Sequence, residues 1–151
     1  MSDDRFIDPR LQAKEALFQK IHVEGFAILA HISAIQSIVE NTGCDIPSDN
    51  EDFIALQSRF TTVLEGRHDV PTELKTLINQ TSEALESEDI AYATKAQLCT
   101  MGLHTLQHWL ILSDIPEDLR DVDEVTASIK EKLMMHLSMW HKFFFDSGMA
   151  H

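Results

Sequence analysis

Hydrophobic positions recur at three- and four-residue steps through most of the chain, the period of an α-helix with one face turned inward. From Arg10 to about Asn41, the run Phe18, Ile21, Gly25, Ile28, Leu29, Ile32, Ile35 and Val39 predicts one long helix, with Asp8 as cap and Pro9 in its first turn. Asn41-Thr42-Gly43 supplies residues that tolerate a left-handed cap, and Pro47 follows, so the helix is predicted to stop there. Ser48-Asp49-Asn50-Glu51 fits a capping box in which Ser48 opens a second helix. That helix carries Phe53, Leu56, Phe60, Val63 and Leu64 on one stripe and closes near Gly66. A third, capped by Asp69 or opened at Thr72, sets Leu74, Leu77, Ile78, Thr81, Ala84 and Leu85 inward.

The pattern then changes. From Ala96 to Ser113 the chain reads AQLCTMGLHTLQHWLILS, without one Asp, Glu, Lys or Arg, in a sequence whose charged residues make up 25%. Apolar residues occupy nearly every side of a helical wheel, and a helix of that kind is buried on several sides. Its two His, two Gln and two Thr, together with its modest length, argue for a bundle core and against a membrane span. Ser87 or Glu88 marks a turn or kink before it, which leaves the third and fourth helices either separate or one bent rod. Pro116 forces the next boundary. The last helix is expected from Ser113 or Asp114, with the acids between Glu117 and Glu124 at the positive end of its dipole. Its inward stripe is Val122, Val125, Ile129, Leu133, His136, Trp140 and Phe144, and Gly148 ends it. The whole is an all-α, single-domain antiparallel bundle of about five helices around a buried central one, residues 1–151, with a polar lead-in over 1–9 and a tail over 147–151.

Composition narrows this picture further. Five Gly and four Pro are too few for an all-β fold with its many turns. Cys44 and Cys99 make neither a disulfide framework nor a metal spacing. The opening MSDDRFIDPR has no signal-peptide character, so the cytoplasm is expected. A net charge of −13 weighs against direct nucleic-acid binding and against an anionic membrane. The acidic stretches sit where caps and dipoles already favour carboxylates. They also permit a role as an acidic inhibitor of a nucleic-acid-binding enzyme.

Candidate chemistry rests on the histidines. His104 and His108 are four apart and share a helix face, and imidazole nitrogen binds iron, zinc or copper. His136 and His141 on the last helix, with His22 on the first, could complete a metal or haem shell. The structural alternative is that Gln97, Thr100, His104 and Gln107 form the central helix's solvent edge, with His136 a satisfied core residue. The pair His104-x-x-x-His108 is similar to the paired-histidine helix of the hemerythrin family, and His136 resembles the histidine of that family's last helix. The resemblance implies a bundle holding two irons through histidines and carboxylates. It departs at His141, where the family has Asp, and in the second helix, Phe53 to Glu65, which has no histidine. There is no phosphate loop, nucleophile elbow or His-Glu-x-x-His. Glu24, beside Gly25-Phe26, is the one carboxylate placed for burial.

The segment Leu133 to Phe145, LMMHLSMWHKFFF, holds more apolar surface than one helical face can bury. Met139, Trp140, Phe143, Phe144 and Phe145 are therefore the candidate interface, since Met adapts its shape and aromatics anchor contacts. The leading expectation is a non-enzymatic, acidic cytoplasmic interaction or regulatory protein that pairs with itself through the last helix, with no cofactor. The alternative is a bundle lined with histidines that binds iron, zinc or haem.

Overall fold

The computed structural model describes residues 9–65, 70–114 and 124–146. Among them are five helices and no strand: α1 (Pro9–Thr42), α2 (Glu51–Leu64), α3 (Thr72–Glu86), α4 (Tyr92–Asp114) and α5 (Glu124–Asp146). The expected roles of Asp8, Gly66, Asp69, Pro116, Val122 and Gly148, and of the acids before Glu124, fall outside the described residues.

The bundle is arranged about α4, the helix that carries the uncharged run Ala96–Ser113. It packs against all four others, and α1 also packs against α2. Ala96, Leu98, Cys99, Leu103 and Leu106 are buried on its various sides. Thr100, expected at a solvent edge, is buried as well and satisfies its hydroxyl by donating to the Ala96 carbonyl at 3.0 Å. The proposed polar line along α4 is thus broken, because its neighbours cover that side too. Third and fourth helices are separate, joined through Ser87–Ala91.

Two ends differ from the expected capping. Asn50, not Ser48, caps α2, its Oδ1 accepting from the Phe53 N–H at 3.0 Å. At α4 the cap comes from far away in sequence. The Asp45 carboxylate accepts from the N–H groups of Tyr92 and Ala93, both at 2.8 Å. Partial burial works to raise the Asp45 pKa, but these hydrogen bonds, one from Ile46 and the nearby Lys95 charge hold it below the usual carboxylate value. Gly43 does end α1 in the left-handed region, with φ 68°.

Close packing around Trp140 joins α2, α3, α4 and α5. Trp140 is fully buried, donates its indole N–H to the Thr81 hydroxyl at 3.1 Å, and meets Phe60 edge to face with centroids 6.4 Å apart. Gly102 permits this approach, since a Cβ there would lie 2.5 Å from Phe60 Cε1 and 3.0 Å from Trp140 Cζ2.

Candidate functional site

Between α1 and α5 the bundle is open. An elongated groove of about 370 Å³ runs there, with α4 as its floor. The four-residue step from His104 to His108 sets both imidazoles on that floor. α5 adds Ser128, Ile129, Lys132, Met135 and His136, and α1 adds Phe18, Ile21, His22, Gly25, Phe26 and Leu29. The floor has apolar walls and no Asp or Glu among its described lining residues.

The imidazoles are close. The rings of His104 and His136 stack with centroids 5.0 Å apart and planes inclined by 17°, and His108 lies 5.0 Å from His136 at 44°. His108 Nδ1 is 2.6 Å from the His104 carbonyl oxygen. A carbonyl only accepts, so Nδ1 carries the proton and, in the neutral ring, Nε2 keeps its lone pair. Burial lowers the His104 pKa, and neighbouring His108 lowers it further. For His108, burial lowers it against the opposing effect of the backbone hydrogen bond, helped by Lys132 and His22. His136 is pushed down to about 4, chiefly by burial and then by His104, His108 and Lys132. At neutral pH the three rings are therefore uncharged, and the Lys132 side chain lies in the same lining.

Four of the five candidate ligands, His22, His104, His108 and His136, line this one groove. His141 does not; it points to α3, where its Nε2 lies 3.4 Å from Glu73 Oε1. Among the described residues no group of three or more His, Cys, Asp or Glu is placed to hold a metal ion. Other candidates are engaged elsewhere. Glu24 pairs with Arg59, both in the lining of a second cavity, and His31 with Asp52. Burial pushes the Cys99 thiol up to about 12, which leaves it without a reactive thiolate.

The candidate interface divides in two. Trp140 and Phe144 lie in the core at 0% and 2% exposure, so they are no part of an outer surface. Phe143 is half-buried against that core, whereas Met139 and Phe145 are exposed. The structure adds Met134 and Met135 on α5 and, unforeseen, Val23, Phe26 and Leu29 on α1. Leu29 had a place in the inward stripe yet is 56% exposed. By length and composition alone, Phe18–Thr42 is apolar enough to cross a membrane, and most of it is not buried in the bundle. Here it is attached to the bundle through Ile28, Ile32 and Ile35 in the shared core. Its apolar surplus signals an uncovered side, and the sequence carried that signal in Val23 and Phe26, which fall outside the stripe.

Comparison with known proteins returns no match to a family model, a curated protein or a solved structure.

Proposed function

We propose that this chain is an acidic, non-enzymatic cytoplasmic interaction protein that pairs with a second copy of itself through the apolar surface shared by α1 and α5. The observation that carries the reading is where exposed apolar surface lies. Of the eight large hydrophobic residues exposed among the described residues, three are on α1 and four on α5, with Ile54 alone elsewhere. Phe26 and Leu29 face Met135 across the groove, and Met139 is one turn further along α5. Surface of this kind favours association, and Met side chains adapt to a partner.

Charge favours a like partner. On α1, Arg10, Lys14 and Lys20 balance Glu15, Glu24 and Glu40; on α5, Lys130, Lys132 and Lys142 balance Glu124, Glu131 and Asp146. Lys95 and Asp114 balance on α4, so the net charge of −13 falls wholly on the other elements and segments. Two copies meeting through α1 and α5 bring together helices that carry no net charge. A twofold arrangement makes one patch serve both chains. Two adjacent helices of α5's length present a strip about 34 Å by 20 Å, close to the ~800 Å² that each partner of a standard dimer buries.

Sedimentation tests this. The wild-type chain is expected to be a dimer at micromolar concentration. Phe26→Glu and Met139→Glu are expected to be folded monomers, and Ile54→Glu on α2 a dimer. A monomeric wild type, or equal disruption by Ile54→Glu, would contradict the proposal. A second reading, iron, zinc or haem in the groove, draws on His22, His104, His108 and His136 sharing its lining. Elemental analysis and an absorption spectrum of untagged protein separate the two: bound metal or a haem band in stoichiometric amount supports the second, and neither supports the first.

A further inference from the structure

The groove between α1 and α5 is lined on opposite principles along its depth. Its walls are apolar, with Ile21, Phe26, Leu29 and Met135 among them. Its polar groups are four imidazoles, the Ser128 hydroxyl and the Lys132 ammonium, with no carboxylate among the described lining residues. In a chain carrying 25 acidic residues against 12 basic ones, a recess free of acid is a marked local exception. Such a recess suits an anion.

Gly25 gives a second, independent observation. It stands in the wall of the groove, in the middle of α1, and a Cβ built there meets nothing within 4 Å. Glycine weakens a helix interior relative to alanine, and neither a turn nor close packing requires it here. Its effect is to keep the groove wide.

We infer that this groove binds a small amphiphilic monocarboxylate of the fatty-acid class, its carboxylate beside Lys132 and the histidine floor and its tail along α1 past Gly25. The chemistry matches part by part. One ammonium at neutral pH balances one carboxylate, whereas a dianionic phosphate would want a second cation. Neutral His104 and His136 each have one N–H to donate, whichever tautomer they adopt. The wall from His22 to Leu29 covers about two helical turns, ~11 Å, the reach of an extended chain of about eight carbons. A pocket of this size, mostly apolar with a few placed polar groups, has the character of a small-molecule site. One chain forms the whole groove, so this inference does not need self-association, although Phe26, Leu29 and Met135 belong to both surfaces.

Calorimetric titration of the full chain with octanoate tests it, with octanol and octylamine as charge controls. Octanoate is expected to bind saturably, one per chain, and each control at least about ten-fold more weakly. Gly25→Leu, which extends a side chain from the groove wall at a position where a Cβ has open space, is expected to abolish binding while keeping helix content and thermal stability. Lys132→Ala is expected to reduce octanoate to the level of octanol. The inference is overturned by an absence of saturable binding, by equal binding of octanoate and octanol, or by wild-type affinity in Gly25→Leu. Repeating the titration in Met139→Glu keeps assembly from masking the groove. A monomeric wild type that binds octanoate contradicts self-association alone, and a dimer that binds none, in either chain, contradicts this inference alone.

Discussion

Gly102 and Gly25 are both helical glycines, and their surroundings oppose each other. A methyl group at Gly102 would press into Phe60, itself 1% exposed and wedged against Trp140, so neither ring can yield. Gly102→Ala is expected to cost about 1–3 kcal/mol despite alanine's better helix propensity. Gly25→Ala, in open space, is expected to gain about 0.5–1 kcal/mol. Denaturant unfolding of both variants checks the pair, and equal effects would contradict the packing described here. The same scale holds the pH response. His136 sits below its ordinary value in the folded chain, so the unfolded state binds the proton more readily. Stability is full above about pH 6.5 and falls as pH drops toward about 4. With allowance for solvent on the groove's open side, the loss is about 2 kcal/mol. Unfolding curves across that range should show a shallower fall in His136→Leu than in wild type; parallel curves would contradict it. Sequence spacing exposed His104 and His108 as a pair, because one helix sets their geometry. The arrival of His136 beside them depends on how α5 packs against α4, which no spacing encodes.

At the level of elements, periodicity located α1, α2, α3 and α5, each of which packs against α4, and the uncharged run located α4, while the break between α3 and α4 was left open. Their ends were less legible. Asp45 caps α4 from 47 residues before Tyr92, and no local pattern announces a cap of that kind. Asp45→Ala is expected to cost about 1 kcal/mol, seen as a fall of roughly 2–4 °C in Tm. An unchanged Tm would mean that solvent serves the Tyr92 and Ala93 N–H groups equally well. The misreading of Leu29 has a related cause. Apolar residues surround much of α1, and a stripe drawn through them names a periodicity without saying which side has a neighbour. Trp140 and Phe144 show the reverse: α5 turns these two inward and leaves Met134, Met135, Met139 and Phe145 outside. The surplus of apolar residues was legible, but their division between core and surface was set by packing.

For the whole molecule, the strongest sequence signal was the lack of charge from Ala96 to Ser113 in α4, and it gave the centre of the bundle directly. The partition of the remaining charge matters as much for function. α1 and α5 carry no net charge of their own, so the proposed pairing through them would not set like net charges against each other. Methyl-labelled methionine NMR through a dilution series examines the apolar surface of α1 and α5 directly, because Met135 and Met139 lie on it while Met101 packs against the core. The expected result is that the Met135 and Met139 signals shift with concentration across the micromolar range and the Met101 signal stays in place. Signals that all stay fixed, or a shift confined to Met101, would contradict pairing through α1 and α5.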